Sequence, residues 1–117
     1  MRMWGVEPIM LCKRHLLGEH VEMHMFIGTM KKGKSLKGYI DKGLIDISKI
    51  WERHDELVKE MKRRGIKHSS PLPCGGGMFH GGEVDVDVNL IELYNRCKHC
   101  RKRIDYVRRG LSTAQLF

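Results

Sequence analysis

The sequence predicts an all-α chain, a compact single domain over residues 1–117 with three main helices and long loops. Two segments repeat apolar residues at three- and four-residue intervals, the spacing of an amphipathic helix. A third resumes that spacing after a stretch rich in Gly and Pro. The 117 residues, 41% hydrophobic and 31% charged, suffice for one core, and they exclude a disordered chain, a TIM barrel, a solenoid and a two-domain enzyme.

Residues 1–7 read as extended. Pro8 is a plausible first-turn residue, and the first helix is expected from there to Lys32, with Leu16, Met23, Phe26, Ile27 and Met30 along its apolar stripe. Gly18 and Gly28 lower its helix propensity and suggest close approach of another backbone. Residues 31–46 form a Lys- and Gly-rich connector. The second helix is expected over Ile47–Arg64, capped by Asp46 or Ser48 and stopped by Gly65, with Ile47, Ile50, Trp51, Leu57, Val58 and Met61 facing inward. Residues 66–84 read as a long loop. Its glycines suggest a phosphate cradle, but no Lys-Ser or Lys-Thr follows, which excludes a Walker motif. The third helix is expected over Asp87–Tyr106, with Val88, Ile91, Tyr94 and Ile104 inside, although residues 84–88 also alternate as a short strand would.

Lys plus Arg is 22 against 14 Asp plus Glu, a net charge of +8. That excess points to a polyanion, nucleic acid before an anionic membrane. The basic residues cluster at 31–42, 59–67 and 96–109, and helix-turn-helix, zinc-finger and RNP signatures are all missing, so phosphate tracking is favoured over sequence readout. No apolar run approaches the ~18 residues of a membrane span. The N-terminus lacks a secretory h-region, which predicts a cytoplasmic protein.

Four cysteines, Cys12, Cys74, Cys97 and Cys100, include one CxxC pair. Cys74, Cys97 and Cys100 with His68 or His80 would make four zinc ligands, but no second tight pair accompanies the CxxC. The plainer expectation puts Cys97 and Cys100 in a charged helix. On the first helix His15, Glu19 and Glu22 fall on one face, and His20 and His24 form an i, i+4 pair on a neighbouring one. HExxH is absent, which argues against a catalytic zinc.

Met1-Arg2-Met3-Trp4, followed by Arg14-His15-Leu16-Leu17-Gly18-Glu19-His20-Val21-Glu22, resembles the N-terminal third of the bacteriophage pyrimidine-dimer DNA glycosylase/AP lyases, without a gap up to Glu22. Ile50–Gly65 is similar to that family's second helix, and the likeness covers about residues 1–65. It implies a compact all-α fold and a monomer that acts without a cofactor on double-stranded DNA containing pyrimidine dimers or abasic sites. By the same resemblance the N-terminal amine, here that of Met1, attacks the sugar C1′, a glutamate, here Glu22, assists, and β-elimination cuts the strand. Arg2 and His15 match residues beside the site. Lys31, Lys32, Lys34, Arg63 and Arg64 supply the expected phosphate contacts. The protein is then nucleoid-associated or virus-encoded.

The chemistry suits these groups, because an α-amine titrates at about 7.7–8.0 in reference peptides and a useful fraction is neutral at neutral pH. Arg2 at the second position predicts retention of Met1. Val21 and Met25 stand where the phage enzyme has arginines, and its aromatic-basic C-terminal segment has no counterpart. Two alternatives follow from these differences and from the cysteines: a non-catalytic basic DNA-binding domain on the same scaffold, or a small zinc-stabilised protein.

Overall fold

The computed structural model describes residues 1–73 and 79–117. It is all-α, and the described residues contain no strand. Five helices take the place of the expected three: α1 (Lys13–Lys31), α2 (Lys37–Asp41), α3 (Ile50–Arg63), α4 (Val86–Arg96) and α5 (Lys98–Arg108), with 3-10 turns at Pro8–Met10 and Ile47–Lys49. One apolar cluster runs from Met3 through α1 and α3 to Leu93 and Cys100.

Helices α1 and α3 pack together as the centre of the fold, and α5 packs on α4 and on the Pro8–Met10 turn. The first helix starts at Lys13, later than expected, because Leu11 and Cys12 are extended and bury their side chains. Gly65 ends α3 as expected. It adopts φ +77°, its N–H reaches Lys62 O, and the N–H of Ile66 reaches Met61 O, which satisfies the last carbonyls of the helix. Asp46 caps the Ile47–Lys49 turn by accepting from the N–H of Ser48.

Three expectations are corrected. The third helix is broken at Cys97, whose extended backbone (φ −124°, ψ 111°) ends α4 and caps α5. Val88 and Ile91 are exposed, because α4 turns Asn89 and Leu93 inward. Gly18 and Gly28 approach no backbone, and a Cβ on either would meet nothing within 4 Å. The alternating residues 84–88 lead into α4, whose N-cap is Asp85.

The segment after α3 is tied down at both described ends. Pro73 O accepts from Trp51 Nε1 at 2.8 Å, and Gly81 O accepts from the N–H of Ile47 at 2.8 Å. Cys74 and Gly75–Gly77 lie outside the described residues.

Candidate active site

Residues 1–6 run as an extended segment through the core, with Met3, Trp4 and Val6 buried. An extended segment outside any sheet has no ladder of its own, so its polar groups need partners from elsewhere. The N–H of Met3 donates to Leu44 O at 2.7 Å, the N–H of Trp4 to Glu19 Oε2 at 3.1 Å, and Asn89 Nδ2 donates to Trp4 O at 2.8 Å. These bonds come from three different parts of the chain, and they fix where the first residue points.

The α-amine of Met1 lies 3.9 Å from Glu22 Oε1, in the middle of α1. Both groups are partly sheltered, with side-chain exposures of 14% and 27%. Burial pushes the Glu22 carboxyl above its ordinary range, while the neighbouring amine pulls it back, and burial prevails. The site is therefore a partly sheltered amine and carboxylate at ion-pair distance.

Glu19 shares a helix face with Glu22 but does different work. Its carboxylate is enclosed, bound by Arg53 Nε at 2.6 Å and Nη2 at 3.0 Å as well as by the N–H of Trp4. Arg53 in turn reaches Glu56 at 3.1 Å. Glu19 thus supports the N-terminal segment from below. The sequence held only a weak signal for this, an arginine among the apolar positions of α3.

The remaining candidates are placed unevenly. Arg2 is turned toward α4 and largely covered, donating to Glu92 Oε2 at 2.6 Å and Asn89 Oδ1 at 2.8 Å, with its guanidinium 3.7 Å over the Trp4 ring. His15 sits two helical turns from Glu22, about 10 Å along the axis. Its Nδ1 is 3.2 Å from Cys12 Sγ and 3.5 Å from Cys100 Sγ, so it belongs to a thiol cluster and not to the amine site.

Arg64 is directed inward, donating to Glu60, Pro8 O and Leu11 O. Arg63 pairs with Glu60 at 2.6 Å but keeps 53% of its side chain exposed. Lys31, Lys32 and Lys34 are exposed at the end of α1. Within the third basic cluster, Arg103 is buried and donates to Ile9 O and Leu116 O, and Arg101 donates to Tyr94 O and Asn95 O at the end of α4. Several arginines therefore brace the fold, and lysines make up much of the free surface charge.

Among the described residues, two groups of metal-ligating side chains converge. Cys12, His15, Cys97 and Cys100 bring their ligand atoms within 4.8 Å of one another, and so do His20, His24, His54 and His68. The cysteine grouping differs from the expected one: Cys74 lies outside the described residues, and the second tight pair is Cys12 with His15. A hydrogen bond with Cys100, aided by His15, draws the Cys12 thiol down to about 3, and the same bond with burial pushes Cys100 up. Burial and the three other imidazoles hold His20 down at about 4.

The fold is basic and all-α, and it sets a chain-end amine beside a helix glutamate. Residues 1–73 match the pyrimidine dimer DNA glycosylase family, and the chain belongs to that family. The matched span contains the whole amine site, α1 and α3, and it ends before α4. No curated protein and no solved structure matches the chain.

Proposed function

We propose that this protein excises ultraviolet-induced pyrimidine dimers from double-stranded DNA and then cleaves the strand at the resulting abasic site. The observation that carries the proposal is the placement of the Met1 amine 3.9 Å from Glu22 on a partly sheltered surface. Family membership over residues 1–73 supports the glycosylase step.

In this mechanism the neutral α-amine of Met1 attacks C1′ of the damaged nucleotide, and the N-glycosidic bond breaks with its electron pair leaving on the base. The Glu22 carboxylate stabilises positive charge as it develops on the sugar. The ring oxygen then leaves C1′, takes a proton and becomes the 4′-hydroxyl, which gives an iminium between Met1 and the opened sugar. Glu22 accepts a proton from C2′, the C3′–O bond breaks by β-elimination, and the phosphate-terminated strand departs. Water hydrolyses the imine and returns the amine. No step calls for a cofactor.

The exposed lysines at the end of α1 and the half-exposed Arg63 would neutralise phosphates, offsetting the few kcal/mol of distorting the duplex, a cost that is least at a damaged step. The protein acts as a monomer inside a cell that houses its DNA substrate. No described helix is long and apolar enough to cross a membrane.

Borohydride reduction in the presence of dimer-containing or abasic duplex is the test. The expected result is a covalent adduct whose peptide map places the link on the Met1 nitrogen. Acetylation of that nitrogen should abolish the adduct, and Glu22→Gln should retain DNA binding while losing cleavage. Salt-dependent binding without any adduct would identify a non-catalytic DNA-binding domain instead.

A further inference from the structure

We propose that Cys12, His15, Cys97 and Cys100 bind a zinc ion that fastens α1 to the junction of α4 and α5. A tetrahedral Cys3His zinc needs S–S edges of about 3.8 Å and S–N edges of about 3.6 Å, given Zn–S of about 2.3 Å and Zn–N of about 2.0–2.1 Å. The structure has Cys12 Sγ to Cys97 Sγ at 4.0 Å, Cys12 Sγ to His15 Nδ1 at 3.2 Å and Cys100 Sγ to His15 Nδ1 at 3.5 Å. The ligands come as two close pairs, Cys12-x-x-His15 and Cys97-x-x-Cys100, separated by most of the chain.

The surroundings suit thiolates. Cys12 is the N-cap of α1 and Cys97 the N-cap of α5, so both sulfurs sit at the positive ends of helices. The N–H of Cys12 points to Cys100 Sγ at 3.3 Å and the N–H of Cys100 to Cys97 Sγ at 3.5 Å, the backbone bonds that hold sulfur ligands in place. Lys13, Arg14 and Lys98 adjoin the ligands in sequence and offset the net negative charge of three thiolates on one divalent ion. The site also accounts for Cys97: its extended backbone breaks what the sequence pattern reads as one helix, and that break delivers the CxxC to α1.

A second site, made of imidazoles alone, stands on an independent observation. His20 is buried, and its Nε2 has no hydrogen-bond partner among the described residues. A buried nitrogen left unpaired costs about 1–3 kcal/mol, which calls for an explanation. His24, His54 and His68 close around it. Their rings lie 4.9–5.0 Å from that of His20, and His24 Nε2 is 3.2 Å from His54 Nε2, against about 3.3 Å for a tetrahedral zinc edge between nitrogens. Asp55 Oδ1 is 3.1 Å from His54 Nδ1, the carboxylate that would fix the tautomer and free Nε2 for a metal. Ser70 O, at 3.3 Å from His54 Nε2 and 2.9 Å from His68 Nε2, is the competing partner of these rings. Imidazole ligands select a borderline divalent ion such as zinc. This ion would pin the segment after α3 onto α1 and α3.

The test uses the full chain, expressed without a metal-affinity tag in zinc-supplemented medium, dialysed against chelator-treated buffer and analysed by elemental mass spectrometry. Two zinc equivalents are expected. Cys97→Ser with Cys100→Ser should remove one, and His54→Gln should remove the other. Cobalt(II) titration of the unaltered chain needs no variant to fold. The thiol site gives intense sulfur-to-cobalt charge transfer with tetrahedral visible bands, and the imidazole site gives visible bands alone. One equivalent with the sulfur signature supports the first site and overturns the second. One equivalent without it does the reverse. Metal-free protein in which Cys12, Cys97 and Cys100 all react freely, with no cobalt spectrum, overturns both.

Discussion

Glu19 and Arg53 form a two-toothed ion pair across the α1–α3 interface, with side-chain exposures of 0% and 4%. A third bond, from the N–H of Trp4, makes the same carboxylate a support for the chain end. Removing one partner of a buried pair leaves an uncompensated charge, which costs about 3–5 kcal/mol. Arg53→Met should therefore lower stability by that order, read as a fall in the urea midpoint. Glu19→Gln should destabilise as well and should reduce cleavage more than DNA binding, because the amine loses its footing while the surface lysines do not.

Lysines and arginines of the basic clusters should separate in a salt titration. Replacing Lys31, Lys32 and Lys34 together by Ala should reduce the slope of log K against log salt by about 0.9 for each phosphate these lysines neutralise. Arg64→Ala should leave that slope unchanged and lower the melting temperature, since its guanidinium holds Pro8 O, Leu11 O and Glu60. A change of slope with Arg64→Ala at constant melting temperature would refute the division.

Met25 is 49% exposed on α1, one turn beyond Glu22, where the phage enzymes carry arginine. Met25→Arg should tighten binding to duplex DNA and steepen its salt dependence by about one phosphate. Fluorescence anisotropy at several salt concentrations checks this.

Acid should loosen the packing between α3 and the Pro8–Met10 turn. Burial works to raise the Glu60 carboxyl, but bonds from Arg63 and Arg64 outweigh it and hold the group below its ordinary value. A carboxyl whose folded pKa is depressed contributes its full stabilisation above the unfolded value, about 4.3, and loses it as pH falls through the folded value. The difference in melting temperature between the native chain and Glu60→Gln should be largest near pH 7 and shrink below pH 4. A difference independent of pH would show that the pair contributes no such linkage.

Glycines should divide by their surroundings. A Cβ on Gly82, which adopts φ +84°, would lie 2.1 Å from Ile45 O, so Gly82→Ala should destabilise strongly or prevent folding. Gly18→Ala and Gly28→Ala meet open space within a helix, and each should add about 0.5–1 kcal/mol. Denaturant melts of the three variants decide it.

The local features were legible in the sequence for local reasons. The 3.6-residue spacing located α1 and α3, Gly65 marked the end of α3, and Asp46 marked a cap. Glu22 could be singled out because its distance from Met1 along the chain matches a family pattern. What stayed hidden depends on residues that meet across long separations. Nothing local links Cys12 to Cys97 or His20 to His54, and hydropathy alone counts Arg53, His54 and Arg103 as surface residues although all three are buried. Val88 and Ile91 misled in the opposite direction, because α4 is held inward by Asn89, a polar side chain that bonds to Trp4 O.

The grip of Asn89 and Glu92 on Trp4 and Arg2 comes from beyond the matched residues 1–73. The chain's far end thereby acts as a gauge for its beginning. Under the proposed mechanism, changes within residues 85–117 would shift where the first nitrogen sits without altering a reacting group, so the reach of the proposed nucleophile would be tunable from outside the matched span.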